Sequence, residues 1–171
     1  PLSSCSIYAN EQIAKYFSYQ MHPGGLELLQ KALPSLPLPA QANVLDIGCG
    51  YGETLAFLQE NYAIQAIGME KEQAILQFAQ KKHLKVQFLQ VDLQDSPFPV
   101  SNQDCIIAEC IFSLLDKPKT VIEASFHALK PDGFLYISDL YFTQEGNYPA
   151  HFLTHTEWQK MLQACGFTLH S

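Results

Sequence analysis

An apolar run, Val44-Leu45-Asp46-Ile47, passes directly into Gly48-Cys49-Gly50-Tyr51-Gly52, three glycines spaced two apart, and a helical pattern begins near Glu53. Strand, glycine turn and helix in that order open a βαβ unit of a parallel sheet. Glycine lets the backbone take positive φ and lets a ligand approach closely, and the free amides of the following helix point back at the turn. Asp46 narrows what can bind there. A carboxylate beside the turn repels a pyrophosphate and attracts a cation, so the loop suits a nucleoside bearing a cationic amino-acid group rather than a dinucleotide.

The same alternation continues along the chain. Apolar patterning predicts strands over 43–47, 64–69, 86–89, 105–108 and 134–139, helices over 53–60, 72–82 and 119–129, and a loop at 94–103. This predicts an α/β fold: a doubly wound, mostly parallel sheet covered on both faces, with ligands beyond the carboxyl ends of its strands. Two lead helices precede it, one with helical apolar spacing over 7–17 and one carrying Leu26, Leu28, Leu29 and Leu33. The break between them is His22-Pro23-Gly24-Gly25, and a proline-punctuated linker at 34–39 leads into the first strand. Near the end, Thr154 and Glu157 have capping-box spacing, Gly166 closes that helix, and Phe167-Thr168-Leu169 predicts a further strand.

A chain of 171 residues with 47% hydrophobic content fits a single domain, 1–171, whose core needs neither disulfides nor a structural metal. Its net charge of −7 argues against a protein that holds nucleic acid by neutralising phosphates. Five cysteines, Cys5, Cys49, Cys105, Cys110 and Cys165, form no CxxC pair and fit a reducing cytoplasm. No apolar run approaches the roughly 20 residues of a membrane span. The sequence opens at Pro1 without a methionine, so its natural start is expected further upstream.

The informative side chains fall where the predicted strands end. Glu70 follows the glycine loop by about twenty residues, a position from which an acid can accept both ribose hydroxyls. Asp92 either accepts from an adenine amino group, with Leu93 packing on the ring, or forms a turn. Glu109 and Cys110 follow the fourth strand, Cys110 as a nucleophile, a soft-metal ligand or a small apolar residue. Cys105 points into the core and Cys165 sits at a helix end. His22, beside a glycine pair that lets a loop fold over a ligand, suits proton transfer near neutral pH or caps a helix. His83, His127, His151, His155 and His170 lack metal-ligand spacing, and no metal is expected.

This ordered set resembles the class I S-adenosylmethionine-dependent methyltransferases over residues 44–167. VLDIGCGYG is similar to their first motif, Glu70 to their ribose-binding acid, Asp92-Leu93 to their adenine-contacting pair, and LKPDGFLYISD to the segment around their fifth strand. The resemblance implies a Rossmann-like fold, S-adenosylmethionine as cofactor and S-adenosylhomocysteine as product. It implies that Asp46 and the loop of Gly48, Cys49, Gly50, Tyr51 and Gly52 hold the methionine part with Glu109, and that Lys71 and Cys110 also lie at the cofactor. HPGG together with AECIFSLL is similar to a bacterial branch of small-molecule enzymes, alongside the quinone and arsenite types. That implies a small-molecule acceptor, no nucleic acid and no membrane, and leaves the oligomeric state open. Residues 1–39 are then lid helices and linker, residues 40–171 the cofactor-binding core, and His22, Glu109 and Tyr141 the candidate proton acceptors.

Two departures matter. No Asn-Pro-Pro-Tyr or Asp-Pro-Pro-Tyr follows the fourth strand, which argues against nucleobase amines as acceptors. The family's terminal hairpin of a sixth and an antiparallel seventh strand is incomplete, which predicts an exposed sheet edge and a longer natural protein. The abrupt Glu145-Gly146-Asn147-Tyr148-Pro149 passage suggests omitted residues. Two rival readings stand beside this one. A nicotinamide-dependent oxidoreductase would need GxGxxG, with the third glycine one residue later. A non-catalytic nucleoside-binding regulatory subunit would leave the chemistry to a partner.

Overall fold

The computed structural model of the chain describes residues 10–36, 38–95, 97–143 and 153–170. Among the described residues, two short α-helices, α1 (Glu11–Tyr16) and α2 (Gly25–Ala32), precede β1 (Ala42–Ile47). There follow α3 (Glu53–Asn61), β2 (Ile64–Glu70), α4 (Gln73–Lys82), β3 (Gln87–Gln90), β4 (Gln103–Glu109), α5 (Pro118–Ala128), β5 (Leu129–Ser138) and α6 (His155–Ala164). The five strands form one sheet in the order β3-β2-β1-β4-β5, and all four pairings are parallel. The expected doubly wound α/β architecture is therefore present. Strand order reverses at the β1/β4 boundary, and a crevice opens there at the carboxyl ends of such strands.

Side chains alternate across the strands, and the two faces of the sheet carry separate cores. Val44, Ala66, Cys105 and Ile107 pack with Leu55 and Leu58 of α3 and Leu76 and Ala79 of α4, while Leu29 from α2 joins the same cluster. Leu45, Ile47, Met69, Ile106 and Ala108 pack instead with Val121 and Ile122 of α5, Trp158 of α6 and Phe112. Fully burying a residue such as Leu45 or Ile47, both 0% exposed, contributes about 1.5–3 kcal/mol. Central β1, buried on both faces, holds the glycine turn at a fixed place.

Several boundaries differ from expectation for identifiable reasons. α1 starts at Glu11 because the Asn10 side chain accepts from the amides of Gln12 and Ile13. Residues 7–9, Cys5, Pro37, His151 and the 145–149 passage lie outside the described residues. The fifth strand begins at Leu129, not at residue 134: Gln103 pairs with Leu129 and Cys105 with Phe134, so a register shift absorbs the Lys130-Pro131-Asp132-Gly133 segment. No strand forms at Phe167. Gly166, at φ 98, reverses the chain, its amide bonding to Gln163 O and that of Phe167 to Leu162 O, and the Phe167 ring turns onto Phe126 at 5.3 Å. This is a glycine-terminated helix end of the Schellman type. Among the described residues, β5 is the last strand in the sheet order.

Candidate active site

A cleft with about 1190 Å³ of empty space, counting its open mouth, lies at the carboxyl ends of β1, β2 and β4. Gly48, Cys49, Gly50 and Tyr51 form its floor, Glu70, Lys71 and Glu72 one wall, and Glu109, Cys110 and Ile111 the opposite wall. Asp92 and Leu93 line it beyond β3, and Tyr19, Gln20, Met21 and His22 line it from the segment between α1 and α2. Gly50, at φ 51, faces open space, since a Cβ there would meet nothing within 4 Å. Gly52, at φ 81, stands at the N-terminus of α3, where a Cβ would come within 2.7 Å of the Phe88 ring.

Glu70 ties this floor to its wall. One carboxylate oxygen accepts from the Gly50 amide at 3.2 Å and the other from the Glu72 amide at 2.9 Å. Across the cleft, Glu109 accepts from the Thr54 hydroxyl at 2.7 Å. Asp46 stands one layer back. It is 3% exposed and, contrary to the expectation that it lies at the ligand, is not among the residues that line the cleft.

The cleft is strongly electronegative. Glu70, Glu72, Asp92 and Glu109 line it, against a single lysine, Lys71, among the described lining residues, while Glu53 at its edge is paired with Lys82 and His83. Burial, with the charges of Glu109 and Glu70 added, pushes the Asp46 carboxyl well above the ordinary carboxylate range. Burial also raises Glu70 against the opposing pull of the Glu72 and Gly50 amides, and raises Glu109 against the pull of His22 and Thr54. A cationic ligand would relieve all three, whereas a diphosphate would add to the repulsion.

The family described as "Methyltransferase domain" matches residues 44–133 of the 171, the interval that holds β1 to β4 and the cleft they build. The chain belongs to the class I S-adenosylmethionine-dependent methyltransferases. It is similar to phosphoethanolamine N-methyltransferase of Plasmodium falciparum, with 29% identity over 160 residues, 84% of this chain and 60% of that protein. It is also similar to the uncharacterized methyltransferase YodH of Bacillus subtilis, with 33% identity over 123 residues, 67% of this chain and 50% of that protein. The chain thus spans roughly half the length of these curated relatives. Among solved structures, the methyltransferase bound to the Haloferax volcanii Trm112 activator superposes with a TM-score of 0.81 at 19% identity, covering 100% of this chain and 79% of that one. That likeness is one of fold.

Within this methyltransferase domain the candidate residues separate. His22 and Glu109 meet in the cleft, their nearest atoms 3.5 Å apart. Tyr141 does not join them. It lines a different hollow with Ser138 and Asp139, its ring 5.5 Å from that of His155, because β5 carries the chain past the cleft before Tyr141 is reached. Cys110 is a wall residue at φ 51 whose amide donates to Ser138 O. Burial, Asp139 and Glu109 push its thiol up to about 11, which keeps it protonated at neutral pH and unsuited to nucleophilic attack. Cys105 is buried as expected.

Tyr51, expected at the cofactor, belongs to an aromatic cluster whose other members, Tyr19 and Phe78, no sequence motif marks. Tyr19 stacks on Phe78 at 4.8 Å and lies 5.2 Å from Tyr51, with the Lys82 ammonium 4.3 Å above its ring. Its residues come from three distant segments, so no local spacing marks them. Thr54 was legible in principle, as the second residue of the helix that leaves the glycine loop.

Proposed function

We propose that the protein transfers a methyl group from S-adenosylmethionine to a small-molecule acceptor, and that the cleft at the β1/β4 reversal holds the donor. The observation that carries this reading is the gathering of Asp46, Glu70 and Glu109 around a glycine turn, with no ion pair to a lysine among the described residues. The residues fit the donor's chemistry. Open space over Gly50 admits a ligand against the backbone, and the buried Oε1 of Glu109, which has no partner, suits an ammonium group. Free acceptor sites on the Glu70 carboxylate suit ribose hydroxyls, and Leu93 with the nearby Asp92 suits the adenine. Asp46 acts through the turn by its field.

When bound, S-adenosylmethionine supplies an electrophilic methyl on a good leaving group. The chain's own residues then have to bind, orient and exclude water, and effective molarities of about 10⁵ M or more show how far alignment alone can accelerate a reaction. Tyr19, Gln20, Met21 and His22 line one side of the cleft, which supports reading residues 1–39 as a lid over a core at 40–171. Phosphoethanolamine belongs to the named relative, and the acceptor here is a separate question. Similarity to the Bacillus subtilis protein favours the bacterial branch. The free thiols of Cys49, Cys105, Cys110 and Cys165 support reading the protein as cytoplasmic, and no helix among the described residues is long and apolar enough to cross a membrane.

Calorimetric titration with S-adenosylmethionine, S-adenosylhomocysteine and NAD tests the reading. Saturable binding of the first two, weakened in Asp46→Ala, is expected. Tight NAD binding with no response to S-adenosylmethionine would replace it with the nicotinamide reading. Cofactor binding without S-adenosylhomocysteine formation from any acceptor, together with a co-purifying partner, would favour the regulatory subunit.

A further inference from the structure

His22 and Glu109 come from opposite sides of the cleft, one from the segment before α2 and one from the end of β4. Nε2 of His22 lies 3.5 Å from Oε2 of Glu109, with side chains 14% and 5% exposed. That same Oε2 accepts from Thr54 at 2.7 Å, which fixes the carboxylate. Two buried atoms of the pair have no partner: Nδ1 of His22 and Oε1 of Glu109. Leaving a buried polar atom unpaired is costly, and each such atom in a cleft marks a place where a ligand can complete the hydrogen bonding.

Resting on the methyl-transfer reading, we infer that His22 takes the proton of the methyl acceptor at Nδ1 while Glu109 orients the ring. The acceptor is accordingly a neutral small molecule carrying O–H, S–H or N–H at its nucleophilic atom. The acceptor's lone pair forms the new bond to the methyl carbon, the carbon–sulfur bond breaks with its electrons kept on sulfur, and the acceptor's proton moves to Nδ1. The imidazolium so formed faces the Glu109 carboxylate, which stabilises it.

The other candidate groups serve this role less well. Cys110 is held protonated, and burial together with Glu109 raises the Tyr136 phenol above its ordinary value. Tyr141 lines the other hollow. An acceptor bearing phosphate or several carboxylates would have to enter against Glu70, Glu72, Asp92 and Glu109, with Lys71 the single lysine among the described lining residues, Glu53 being paired already with Lys82 and His83.

The test uses the whole chain loaded with S-adenosylhomocysteine for spectroscopy and with S-adenosylmethionine for turnover. Imidazole ¹⁵N spectra are expected to show His22 with Nδ1 unprotonated and Nε2 protonated toward Glu109, and Glu109→Gln is expected to mix the two tautomers. Catechol, 2-mercaptoethanol and aniline serve as neutral probes, and phosphoethanolamine and trans-aconitate as anionic ones. At least one neutral probe should be methylated. His22→Gln should then lower kcat about 100-fold or more, abolish the acidic limb of the pH–rate profile, and leave cofactor affinity within about threefold of wild type. A thermal midpoint matching wild type shows that the variant is folded, and Glu109→Gln provides a second, smaller perturbation of the same step. Full activity of His22→Gln, a protonated Nδ1, turnover confined to the anionic probes, or no turnover of any probe by the cofactor-bound protein would overturn the inference. Failure of the cofactor to bind at all would strike instead at the methyl-transfer reading beneath it.

Discussion

At the end of the sheet where its strands begin, both carboxylate oxygens of Asp104 accept from the Lys130 ammonium at 2.8 Å, and one also accepts from the Asn43 amide at 2.8 Å. At the end where the strands finish, Asp46, Glu70 and Glu109 converge, none of them in a lysine ion pair among the described residues, with His22 lying 3.5 Å from Glu109. Against the upward push of desolvation, Lys130 and Asn43 hold the Asp104 carboxyl below its ordinary value. Burial raises the three acids at the other end. One end of the sheet is already neutralised by its own fold; the other is built to be neutralised by something that arrives.

The sharpest way to break this comparison is to remove Glu70. Its carboxylate tethers the glycine loop and offers its remaining lone pairs to the cleft, and hydrogen bonds to a charged group are worth about 1.5–3 kcal/mol. Glu70→Ala is therefore expected to weaken S-adenosylmethionine about 10- to 100-fold by calorimetry, whereas Asp104→Ala, at the opposite end, should change that affinity less than about twofold. Equal losses in the two variants would mean that the ends do not differ in the way described.

A second effect should appear in how stability responds to pH. A carboxyl whose folded pKa lies above its unfolded value binds more protons in the native state across that interval, so stability falls as pH rises through it. For the cofactor-free protein, Asp46, Glu70 and Glu109 should together make the thermal midpoint fall as pH climbs from the ordinary carboxylate range, about 4, through their raised values. Asp46→Asn should flatten that slope, and saturating S-adenosylmethionine should flatten it further by supplying the missing positive charge. A midpoint that climbs with pH across this interval would sink the assignment of uncompensated acids to this end.

How much of this the sequence disclosed follows the same division. The strands and the acids that end them were legible because each buried parallel strand is a short apolar run stopped by a glycine or a carboxylate: Asp46 and the loop, Glu70, Leu93 and Glu109 all lie where their patterns put them. What stayed hidden depends on chain reversals and distant contacts. Tyr141, a candidate proton acceptor under the family resemblance, follows β5 past the cleft and lines another hollow. Phe167 has the composition of a strand, but the helix-ending glycine before it decides its course. The meeting of His22 with Glu109 and the stacking of Tyr19 on Phe78 join residues far apart in sequence, and no periodicity encodes either contact.

The smallest effect belongs to Lys130. Its side chain is 38% exposed, so solvent screens the pair, and exposed pairs of this kind contribute about 0.2–1 kcal/mol. Lys130→Met should lower the thermal midpoint at neutral pH by at most about 2–4 °C and leave cofactor affinity unchanged. Its pH dependence should run opposite to that of the cleft acids. Because the folded pKa of Asp104 is depressed, its contribution is present above the unfolded carboxylate value and is lost as pH falls through the folded one. The gap between wild type and Lys130→Met should therefore close on acidification, while the cleft acids become less destabilising over the same fall in pH. Finding that the gap instead widens in acid would show that Lys130 stabilises the fold through its aliphatic stem and not through Asp104, and the contrast between the two ends would lose its neutralised half.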